Sequence, residues 1–170
     1  MKYSEIIANI RQSIQENWGE IEKWNSIDEN SFNCYQFAIG SFVITDIYVS
    51  EKLQVNMLKD EYDEEITFGF LGSISKSRFK HKKLTKAILD LETLGLTPKI
   101  VSKNTCIKEN CIRIAYFNTR DDFHFARRDS KTGKWYQKNG WDGEISQVLL
   151  KHITKIENVN PIFIDISKPQ

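Results

Sequence analysis

The hydrophobic period of the chain changes at Pro98, and that change constrains the fold more than any other feature. Upstream, apolar residues recur at helical spacing: Ile7, Ile10, Ile14, Ile21 and Trp24 within 4–24, then Leu84, Ile88, Leu91 and Leu94. Gly95 suits the end of that second helix and Pro98 a stop beyond it. Lysines at a helix start oppose the dipole, which puts the beginning near Thr85. Downstream, Lys99–Ser102, Cys111–Phe117, Phe123–Arg128, Lys134–Lys138 and Ile162–Ile166 are β-branched and aromatic strand candidates. Residues 144–157 carry Ile145, Val148, Leu149, His152, Ile153 and Ile156 and read as a last amphipathic helix. Helices first and an antiparallel sheet after them predict one α+β domain over residues 1–170.

The strands at Phe123–Arg128 and Lys134–Lys138 are joined by Asp129-Ser130-Lys131-Thr132-Gly133, a hairpin turn with glycine where positive φ is needed. In a strand, His124 and Ala126 share one face while Phe123 and Phe125 take the other. With an even-length connection, His124 faces either Asn139 or Gln137, and both amides then lie on its face, one opposite and one diagonal. An odd-length connection sends them to the other face.

A second polar feature precedes the sheet. Residues 25–33 are rich in Asn, Ser and Asp and lead into Cys34-Tyr35-Gln36-Phe37-Ala38. Asn33 as cap makes Cys34 the first helical residue, whereas Ser31 as cap makes it the third. Either way the thiol sits at the positive end of a helix, which favours thiolate. Burial as a small hydrophobe is the commoner fate of a free cysteine. Cys34 and His124 together form a nucleophile and base: a thiol of pKa about 8.5 needs a neighbouring imidazole to take its proton at neutral pH. A neutral amide on the second ring nitrogen fixes the tautomer. His81, among lysines, and His152, on a helix, have no such setting.

The remaining composition narrows the classes. The 170 residues carry a net charge of +1, with 40% hydrophobic and 28% charged residues. These values fit a folded domain and give no global case for nucleic acid or membrane as partner. Lys76, Arg78, Lys80, Lys82 and Lys83 form a basic patch that is either a solvated face, a partner of the acidic run at 60–65, or a site for an anionic ligand. The odd cysteine count argues against a complete disulfide framework; Cys106 and Cys111 are close enough to bridge in an oxidising compartment, which would leave Cys34 as the odd thiol. The sequence lacks Walker, G-x-G-x-x-G and H-E-x-x-H motifs, and the Cys106–Cys111 spacing has no second pair for zinc; no metal and no cofactor is expected. Without a secretory signal or an apolar run of about 20 residues, the expected location is the cytoplasm, or outside by a route without a recognisable signal.

Asn33-Cys34-Tyr35-Gln36-Phe37-Ala38 resembles the helix-start nucleophile motif of the NlpC-type, papain-like cysteine peptidases and amidases. Asp122-Phe123-His124-Phe125-Ala126-Arg127-Arg128-Asp129, followed by Gly133, Trp135, Gln137, Lys138 and Gly140, resembles the histidine hairpin of a bacterial branch of that superfamily. Pro161-Ile162-Phe163-Ile164 is similar to its terminal strand. The likeness covers about a third of the chain. It implies a papain-like fold and a hydrolase acting on amide or isopeptide bonds of peptide or peptidoglycan-like substrates. Cys34 would be the nucleophile, His124 the proton carrier and Gln137 the residue that orients it. Gln137 stands where that branch prefers a second histidine; it can orient a ring but carries no charge. A non-catalytic module of the same fold, and an acyltransferase or deamidase using the same residues, are the alternatives.

Overall fold

The computed structural model describes residues 3–18, 32–41, 71–77, 81–120, 122–140 and 143–168. Ile21, Trp24, the acidic run at 60–65 and the patch residues Arg78 and Lys80 lie outside them. So do residues 66–70 of the run Ile66–Leu71, whose sequence reads as a short buried strand or a loop entering the core.

Helix α1 spans Tyr3–Glu16, ending before the expected 24. Ile6, Ile7, Ile10 and Ile14 bury one face. On its other flank Arg11 donates to the carbonyls of Leu94 (2.9 Å) and Thr93 (2.8 Å), which close helix α3, Lys83–Thr93. A cation on these last carbonyls satisfies acceptors that have no partner inside the helix and opposes the negative end of its dipole. The α3 helix starts at Lys83, two residues earlier than the dipole argument allows. Lys83 turns its ammonium away from the helix, onto the carbonyls of Thr119 (3.3 Å) and Asp122 (2.5 Å).

Between these lies α2, Cys34–Ile39, one and a half turns with every residue buried. So short a helix depends on its caps. Asn33 Oδ1 accepts from the amides of Tyr35 and Gln36, and Gln36 Oε1 accepts in return from the Asn33 amide at 3.1 Å. Asn33 is therefore the cap and Cys34 the first helical residue. Gly40 ends the helix at φ +78°, and a Cβ there would stand 3.0 Å from Arg127 Nη1, so only glycine fits.

The described strands form one antiparallel sheet: β1 (Thr97–Val101), β2 (Cys111–Phe117), β3 (His124–Arg128), β4 (Trp135–Lys138), β5 (Ile145–Val148) and β6 (Ile162–Ser167). Their spatial order is β1-β6-β2-β3-β4-β5. Pro98 lies beyond the end of the helix, as expected, and is already part of β1, at the sheet edge where a missing N–H is tolerated. The expected helix over 144–157 is corrected. Its first part is the edge strand β5, paired Lys138 with Ile145 through Trp135 with Val148, and only Leu150–Glu157 is helix α4. Ile145 and Val148 fit a half-buried strand, and the extended Leu149 separates the two elements.

Both sheet faces are covered. Ile112, Ile114, Tyr116, Phe125, Ile164 and Ile166 face the helices α1 to α3, while Ala115, Phe117, Ala126 and Phe163 meet Ile153 of α4. Between the central strands, Arg113 pairs with Asp165 through two hydrogen bonds of 2.6 and 2.8 Å. No helix among the described residues is long and apolar enough to cross a membrane.

Candidate active site

The β3–β4 hairpin has the even connection that the amide argument needs. Asp129 and Lys134 close it (N···O 2.8 Å), Gly133 takes φ +70°, and Ala126 pairs with Gln137. Extending that register puts Asn139 opposite His124 and Gln137 on the diagonal. The diagonal residue makes the bond: His124 Nε2 and Gln137 Oε1 are 2.9 Å apart. With a carbonyl oxygen facing it, Nε2 carries the hydrogen, and Nδ1 keeps the lone pair a base requires.

Cys34 and His124 line one cleft of about 340 Å³, with Asn33, Thr119, Asp122, Phe123, Asn139, Gly140 and Glu157. They reach it from opposite sides. Cys34 belongs to the core under α1 to α3, whereas His124, paired with Phe117, lies on the α4 face. The cleft opens at the start of β3, where the two faces meet. Among the described residues no hydrogen bond joins the thiol to the imidazole.

The electrostatics differ from the expectation for a helix start. Burial pushes the Cys34 thiol up to about 12, and the Asp122 carboxylate adds to the shift; the backbone amides of Phe125, Tyr35 and Cys34 itself pull the other way. Cys34 is 6% exposed, and the short α2 does not outweigh that desolvation. The thiol is therefore neutral at rest, not a thiolate. Burial also lowers the His124 pKa below its ordinary value, opposed by the Gln137 hydrogen bond and by Glu157 and Asp122. The pair rests as thiol and neutral imidazole.

The remaining polar groups hold the site in shape. Lys138, fully buried, donates to the carbonyls of Gly140 (3.1 Å) and Gly143 (2.8 Å), fixing the stretch that brings Asn139 and Gly140 to the cleft. Asp90 accepts from the amides of Gly72 and Ser75 and the hydroxyls of Ser75 and Tyr35, tying α3 to the residue after Cys34. Glu157 was not singled out in the sequence, because only the pairing of α4 with the sheet brings it near His124. Cys106 and Cys111 are both free, so the bridge between them is not made. Of the basic patch, Lys83 is engaged with the loop at Thr119 and Asp122.

Compared with family models, with curated proteins and with solved structures, the chain finds no match.

Proposed function

We propose that the protein is a papain-like, NlpC-type cysteine hydrolase that cleaves an amide or isopeptide bond through an acyl-enzyme on Cys34. The observation that carries this reading is the His124–Gln137 hydrogen bond in the cleft that Cys34 lines: it leaves Nδ1, in its basic form, for the thiol.

The resting state defines the first step. Because thiol and imidazole are both neutral, attack and proton transfer go together: the Cys34 sulfur bonds to the substrate carbonyl carbon as its proton passes to His124 Nδ1. Gln137 keeps Nε2 protonated and steadies the imidazolium. Asn33 Oδ1 takes the Tyr35 and Gln36 amides, so the Cys34 amide is outside the cap and is the donor for the carbonyl oxyanion. His124 then returns the proton to the leaving amine as the carbon–nitrogen bond breaks. Water, deprotonated by the same imidazole, releases the acid and restores the thiol. An acyl acceptor in place of water gives transfer.

Alkylation of Cys34 by iodoacetamide, read on its own peptide so that Cys106 and Cys111 do not interfere, tests the pair. The rate should fall about a hundredfold in His124→Ala, the low end of general-base contributions. Equal rates in both proteins would sink the proposal. They would favour the second reading, a non-catalytic papain-like module, which the burial and raised pKa of Cys34 support.

A further inference from the structure

A second cleft lies on the α4 side of the sheet and shares none of its described lining residues with the one at Cys34. It measures about 420 Å³ and is lined by Lys103, Leu150, Lys151, Thr154, Lys155, Asn160, Pro161 and Phe163. Its wall is apolar: Leu150, Pro161 and the Phe163 ring, which is backed by Trp135 at 5.9 Å between centroids. Its charged lining is entirely cationic. Lys103, Lys151 and Lys155 are exposed, and none makes an ion pair or hydrogen bond among the described residues.

Lys151 and Lys155 stand four residues apart on α4, where like charges are neighbours and repel. Among the described residues no acidic side chain lines the cleft to relieve them. The first turn of α4 borders the same space, and its N-cap, Leu149, has no side chain that can cap it, so the positive end of the helix adds to the field. Unbalanced positive charge beside an apolar pocket of ligand size needs an anion with an apolar body.

We propose that this cleft binds a small amphiphilic anion: one phosphate or carboxylate headgroup held by Lys103, Lys151 and Lys155, with a short apolar body against Leu150, Pro161 and Phe163. The binding is independent of chemistry at Cys34. The charge selects the headgroup, and the apolar wall separates this ligand from free inorganic anions.

Calorimetric titration of the whole chain with three probes tests this: octyl phosphate below its micellar concentration, inorganic phosphate, and octyl glucoside as the neutral chain. Octyl phosphate should bind at least about tenfold more tightly than either of the others, and Lys151→Glu with Lys155→Glu should remove that advantage. Lys103→Glu, on a loop outside the helix, repeats the test without altering α4 and should weaken binding in the same sense. Octyl phosphate no tighter than inorganic phosphate would overturn the proposal. So would tight binding that survives both sets of charge reversals.

Discussion

At Cys34 two local effects oppose each other, and their magnitudes decide the state of the thiol. A helix N-terminus is worth up to about 2 kcal/mol to a negative charge, whereas desolvation shifts a buried group by up to about 5 pKa units. Burial wins, and the thiol is held up at about 12. His124 is where pH should then act. Burial holds its pKa below the ordinary 6.5, so at a given mildly acidic pH it is less protonated than a free histidine. The unfolded chain takes that proton first, so this residue's share of stability, full above about 6.5, is lost as pH falls from there through the lower folded pKa. The Gln137 hydrogen bond raises the His124 pKa, so Gln137→Ala should move the acid limb of the Cys34 alkylation rate to lower pH and reduce its plateau. A pH–rate profile of the two proteins checks this; an unmoved limb would remove Gln137 from the site.

Among the elements, α2 is the one whose stability is most local. The sequence leaves Asn33 and Ser31 open as its cap, and the reciprocal bonds between Asn33 and Gln36 decide for Asn33. Asn33→Ala should cost about 1 kcal/mol in chemical denaturation. Asp90 ties α3 to Tyr35 and to the turn at Gly72 and Ser75, and Asp90→Ala leaves those donors without their acceptor. A loss of roughly 3 kcal/mol is expected, read as a lower denaturant midpoint at unchanged slope. Five strands were legible within one or two residues at their ends because β-branched and aromatic runs are bounded by turn residues. The sixth, β5, was not: the apolar positions of 144–157 satisfy a helical period throughout, and only the open edge of β4 decides that Ile145–Val148 pairs as strand. Lys138 and Asp90 are buried charges whose partners include backbone groups of loops, which no side-chain pattern encodes. The His124–Gln137 alignment was readable once the connection was taken as even, but the choice of the diagonal partner was not. That depends on side-chain direction at the strand end.

Over the whole molecule, the sheet brings chemistry from distant parts of the chain to one rim. Cys34 comes from the helical layer, His124 and Asn139 from the hairpin ends, and Glu157 from the helix behind the sheet. The paired central strands β2 and β6 hold that arrangement, and the Arg113–Asp165 pair locks them with side chains 5% and 11% exposed. Asp165→Ala leaves a guanidinium uncompensated and should cost about 3–5 kcal/mol. Replacing both partners with Met and Leu should recover most of it, a difference that a double-mutant comparison of denaturation curves reads directly. Acyl transfer to Cys34 is the central step of the proposed reaction, and incubation with p-nitrophenyl acetate followed by peptide mass analysis tests it most directly. One acetyl group should appear on Cys34 with release of nitrophenolate, and His124→Ala should abolish it. Acetylation that misses Cys34, or that reaches it equally in His124→Ala, would contradict the account.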